Sequence, residues 1–167
     1  MKKQKLFAQC VGFATLAVLT ACSQLVKPGA ADIDAVPVMV MYDKSDGERA
    51  ACSFPLTVGR HGFKGGGACE NDYAEMFYIR YPRDGLQFSI HDGPGCGWDD
   101  SWTAYRIIDP DYTGTPSRTE SVSVSSADWF KPDKLIVRGL YSRGGNVDRL
   151  EGKVSCVQVY SDGRVAK

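Results

Sequence analysis

Between Leu86 and His91 the chain alternates strictly, with Leu86, Phe88 and Ile90 directed to one face and Gln87, Ser89 and His91 to the other. A period of two predicts a strand with one face in the core and one in water. Ser121 to Ser125, "SVSVS", repeats the pattern. Five further runs are rich in β-branched and aromatic residues: "VPVMVMY" from Val36, "AEMFYIRY" from Ala74, "WTAYRII" from Trp102, "KLIVRGLY" from Lys134 and "GKVSCVQVY" from Gly152. Turn signals separate them at Asp46-Gly47, Gly65-Gly66-Gly67, Asp84-Gly85, Gly93-Pro94-Gly95, Gly144-Gly145-Asn146 and Asp162-Gly163. After residue 35 a helical period is never sustained beyond two turns. The expectation is an all-β fold, a sandwich or barrel.

The N-terminus has a different pattern. Lys2, Lys3 and Lys5 precede an apolar run from Leu6 to Ala21, which stops at Cys22 and turns polar at Ser23 and Gln24. A positive start, a short apolar stretch and a small-residue end are the build of an export signal, too short for a comfortable membrane span. Leu19-Thr20-Ala21-Cys22 resembles the lipobox of bacterial lipoproteins. The resemblance implies cleavage after Ala21, diacylglycerol on the Cys22 sulfur and an acyl chain on the new N-terminus. One chain anchors marginally at about 0.8 kcal/mol per buried methylene, and two or three hold firmly. Ser23 after the lipidated cysteine implies sorting to the outer membrane, facing the periplasm. Residues 1–21 then form the signal and 22–35, "CSQLVKPGAADIDA", a flexible tether to one compact unit or two small ones.

Charge changes once the signal is removed. The chain balances 20 basic against 20 acidic residues, and loss of three lysines leaves 17 against 20. Nucleic-acid recognition needs a concentrated basic face, which is absent from this pattern. Of six cysteines, Cys10 leaves with the signal and Cys22 carries lipid. Cys52, Cys69, Cys96 and Cys156 remain, an even number that reads as two disulfides in an oxidising compartment. Spacings of 17, 27 and 60 residues contain no CxxC pair of the kind zinc favours. Three connectivities are possible. Pairing Cys52 with Cys69 closes a plausible hairpin loop, which favours Cys96 with Cys156 as the second bond.

"CENDYAEMFYI" and "FSIHDGPGCGWDDSWTAYRI" carry a second resemblance. A strand ending in an aromatic and an acid, "VMVMYD", a glycine-rich turn, a cysteine-bearing strand and an Asn-Asp pair resemble bacterial βγ-crystallin Greek-key domains. The match runs over residues 36–109 and implies a Greek-key sandwich, with 110–167 as a β-rich region packed on it. Phe88 and Gly95 meet the family's aromatic-x6-glycine spacing, whereas Tyr42 has Arg49 in the matching place. The family also implies calcium, held through oxygen ligands. Here Asn71 and Asp72 keep the motif's first two positions, while Glu75 and Met76 replace its hydroxyl residues. Asn71, Asp72 and Glu75 are the candidate calcium set. The competing expectation is that Asn71 and Asp72 only start a strand by turn bonding. Asp43, Asp46 and Glu48, and likewise Asp99, Asp100, Asp109 and Asp111, read as solvated turn residues.

Catalytic patterns are thin. His61 and His91 are the only histidines, and neither a G-x-S-x-G elbow nor H-E-x-x-H occurs. "GFKGGG" lacks the phosphate-cradling frame. No catalytic residue is assigned. The expectation is a non-catalytic envelope lipoprotein that binds a protein partner as an inhibitor, immunity protein or adaptor. Trp98, Trp102 and Tyr105 are the candidate anchors, with Trp129 beside them. The alternative is a calcium- or ligand-stabilised structural module. A hydrolase of an envelope polymer ranks third, and needs a cleft where His61 or His91 meets a carboxylate.

Overall fold

A computed structural model of the chain describes residues 36–45, 47–50, 52–108, 118–146 and 148–161. The expected signal and tether, with Cys22, and Asp46, Asp109 and Asp111 lie outside them. The β-rich runs form β1 (Val38–Tyr42), β2 (Cys52–Pro55), β3 (Gly59–Gly62), β4 (Met76–Arg80) and β5 (Gln87–His91). They continue as β6 (Trp102–Ile107), β7 (Val122–Ser123), β8 (Leu135–Val137), β9 (Leu140–Asn146) and β10 (Cys156–Tyr160). Gly47–Ala50 is a single 3₁₀ turn. The strands make two antiparallel sheets, ordered β2-β1-β4-β7 and β3-β10-β5-β6-β9-β8.

The sheets share one apolar core, because alternate positions of each strand point into it. Met39, Met41, Phe77 and Ile79 enter from the first sheet, and Phe88, Ile90, Tyr105, Ile107 and Val157 from the second. Phe77 meets Phe88 and Tyr105 edge-on at 5.8 and 5.0 Å. Each fully buried Phe or Ile stabilises the fold by roughly 1.5–3 kcal/mol. Strands from the last third enter both sheets. β7 extends the four-stranded sheet, and β10 lies between β3 and β5.

Both disulfides form with the favoured pairing, Cys52–Cys69 and Cys96–Cys156. The first ties β2 to the loop before β4, and the second ties the β5–β6 loop to β10.

Four local expectations change. β5 is buried on both faces, and Gln87, Ser89 and His91 are at most 1% exposed. Their face is covered because Trp98 packs on His91 and Tyr160 closes over Ser89. The "SVSVS" strand shrinks to Val122–Ser123, since the Ser123 hydroxyl accepts from the Ser125 amide and turns the chain away from the ladder. Gly144 and Gly145 lie inside β9 instead of making a hairpin turn. There the register against β6 shifts between Ala104 and Tyr105, and Gly144 adopts φ 107°. "KLIVRGLY" divides at Arg138-Gly139 into β8 and β9, with Gly139 at φ 77°.

Candidate functional site

The hydroxyls of a serine, a threonine and a tyrosine build a presented turn. After β7 the chain makes successive turns from Val124 to Trp129, with the Asp128 amide donating to the Ser125 carbonyl at 3.1 Å. Thr103 Oγ1 and the Tyr105 hydroxyl, both from β6, each donate to the Val124 carbonyl at 2.7 Å. The Ala127 amide donates back to the Tyr105 hydroxyl at 3.3 Å. Ser142 Oγ reaches the carbonyls of Ala127 and Phe130 at 2.9 and 3.2 Å. Gly145 completes the seat, since a Cβ there would lie 3.1 Å from Asp128 Cα. Buried hydroxyls thus fix the backbone, and the side chains beyond it face outward.

Trp129 stands 69% exposed at the tip, with the following residue, Phe130, also exposed. Next to Trp129 an open cleft of about 670 Å³ is walled by Glu75, Asp128, Asp148 and Glu151, with Arg149 the one basic side chain on its lining among the described residues. The far wall is tied to the turn. The Leu150 amide donates to Ser125 Oγ at 3.2 Å, and the Gly152 amide to the Ala74 carbonyl at 3.0 Å. Arg149 is held at φ 128°, where L-residues rarely sit. Burial alone would raise the Glu151 carboxyl, but hydrogen bonds from Ser123, Ser125 and backbone amides hold it below the usual carboxylate range. It therefore stays charged at neutral pH. An exposed indole beside four carboxylates can stack on a cation and pair with it.

The anchors expected from sequence are distributed differently. Tyr105 is fully buried, so it is a support for the Trp129 turn and contacts no partner. Burial pushes its phenol pKa well up. Trp98 and Trp102 are half-buried and meet edge-on at 4.6 Å, with Trp98 on His91 at 5.1 Å. They form a wall over β5. Trp129 alone among the tryptophans projects into solvent.

His91 is the centre of a buried polar chain. A carbonyl can only accept, so Nδ1 donates to Gly97 at 2.8 Å, and Nε2 of the neutral ring accepts from Ser89 Oγ at 2.6 Å. The Tyr160 hydroxyl, 2.7 Å away, donates to Ser89 Oγ. Burial lowers the His91 pKa and outweighs the opposing bond to Gly97. Ser89 and His91 have nucleophile–base spacing, but Ser89 is fully buried. His61 bonds the Thr57 carbonyl through Nε2 at 2.8 Å, and its ring lies on Phe54. Among the described residues neither imidazole meets a carboxylate in a hydrogen bond.

The candidate calcium residues are separated in role. Asp72 Oδ1 accepts from Ser155 Oγ at 3.2 Å, and its amide donates to the Val154 carbonyl. Asn71 Oδ1 is buried with no partner among the described residues. Glu75 faces the acidic cleft. Among the described residues no group of three or more His, Cys, Asp or Glu side chains is arranged to hold a metal ion. Asp43 is a turn former, its Oδ1 accepting from the Ser45 amide and hydroxyl at 2.6 Å. Glu48 pairs with Arg118 at 2.8 Å, and that bond holds its carboxyl below the usual range. Comparison with known proteins finds no matching family model, no matching characterised protein and no matching solved structure.

Proposed function

We propose that the chain is an envelope lipoprotein, anchored through Cys22 and facing the periplasm from the outer membrane. Its β domain is a non-catalytic binding module for a basic protein partner. The role is that of an inhibitor, immunity protein or adaptor. One observation carries the reading: a tryptophan 69% exposed on a rigid turn, at the rim of a cleft with four carboxylates. Exposing an indole to water costs free energy unless a partner covers it, and tryptophan dominates binding energy where it is covered. The carboxylates select a cationic surface and speed encounter with it. Rigid presentation by Tyr105, Thr103 and Ser142 lowers the ordering cost of association.

The test is recovery of the C-terminally tagged protein from envelopes, with Cys22→Ala as the mislocalised control. A single stoichiometric partner is expected, with a basic contact surface, released by salt and lost in Asp148→Lys. Recovery of the same proteins by the parent and by Asp148→Lys contradicts the reading.

A further inference from the structure

The strand registers place two surfaces at opposite ends of the fold. Glu75 precedes β4 and Gly145, on which Asp128 packs, is the last residue but one of β9, so the Trp129 cleft lies at the Met76, His91 and Trp102 end. At the other end, near Arg80, Gln87 and Arg106, runs an open groove of about 790 Å³. Val36, Leu56, Val58, Arg83, Arg106 and Tyr160 line it. Val58 is 66% and Val36 47% exposed.

Three features of this groove concern what covers it. Val36 is both a groove wall and the residue where the 22–35 segment joins the domain. At about 3.5 Å per residue, that segment keeps Val36 within about 50 Å of Cys22 even when fully extended. Arg106 Nε is buried and has no hydrogen-bond partner among the described residues, a costly state for a cationic donor. Its cross-strand neighbour Gln87, 1% exposed, likewise has an Oε1 without a partner among them. An apolar rim with a guanidinium behind it matches the boundary of a phospholipid layer, where acyl chains give way to phosphates. Asp84, also on the lining, is the one carboxylate there among the described residues.

We infer that this groove is the face the domain turns to the bilayer. Phospholipid phosphate is taken at Arg106, and Val36 and Val58 sit at the acyl boundary. The inference rests on the reading of Cys22 as a lipid anchor. It also orients the molecule, since docking this end aims the Trp129 cleft away from the membrane.

The test uses the processed protein recovered from cell membranes, reconstituted into phosphatidylethanolamine–phosphatidylglycerol vesicles or neutral phosphatidylcholine vesicles. Amide hydrogen exchange is read against the protein in detergent. Slower exchange is expected at 56–59 and 83–86, stronger on the anionic vesicles, with no change at 126–131. Arg106→Gln is expected to weaken this protection about fivefold, the scale of one arginine at an anionic surface. Val58→Asp, at a site too exposed to disturb folding, is expected to do the same. Equal exchange in vesicles and detergent overturns docking. So does protection that survives both substitutions. Intact mass of the same sample reads the acyl groups on Cys22 separately, so failure of the anchor reading is distinguished from failure of docking.

Discussion

Trp129 and His91 show how differently two conspicuous side chains can be used. Trp129 contributes little to the core, so Trp129→Ala is expected to leave the melting temperature within the error of ordinary surface substitutions while costing at least about 2 kcal/mol of partner binding. Binding and melting measured on one preparation separate the two effects. His91 is the reverse, a buried neutral ring with both nitrogens bonded. Its folded pKa lies below the ordinary value of 6.5, so the unfolded chain binds the extra proton first. Its contribution is therefore fully present above about pH 6.5 and is lost as pH falls through the depressed folded value. Urea unfolding from pH 8 to 5 is expected to show this loss, and His91→Gln is expected to lose less stability over that window than the parent does.

Element by element, the strands were legible in the sequence where apolar residues alternate, and the two disulfides where the expectation of an exported chain leaves an even cysteine count. Tyr105 shows the limit. Parity in "WTAYRII" puts Thr103, Tyr105 and Ile107 on one face, but only the packing of β7 and its turn shows that this face is sealed. The same holds for β5, whose polar face is covered by Trp98 and Tyr160 from distant segments. Periodicity identifies a face without identifying what lies on it. Tyr105→Phe removes the hydroxyl that holds Val124 and Ala127, and is expected to cost about 1–3 kcal/mol of stability and to loosen Trp129. Faster amide exchange at 126–130 is the readout. Replacing Cys96 and Cys156 together by Ala reopens a 60-residue loop and is expected to cost about 4 kcal/mol, measured by denaturant midpoint.

For the whole molecule, the long-range strand order binds early and late segments together. β10 sits between β3 and β5 and carries Cys156, so unfolding is expected as one transition in the oxidised protein. Two separate calorimetric peaks would contradict that. The opposed ends of the fold give the central claim its geometry: an anchored, groove-bearing end and an outward cleft with Trp129. The measurement that tests it most directly is photo-crosslinking in intact envelopes, with a photoreactive phenylalanine analogue placed at position 129 or at position 58. The account predicts one protein adduct from position 129, abolished by Asp148→Lys, and lipid adducts from position 58. The same protein adduct from both positions, or none from 129, would contradict it.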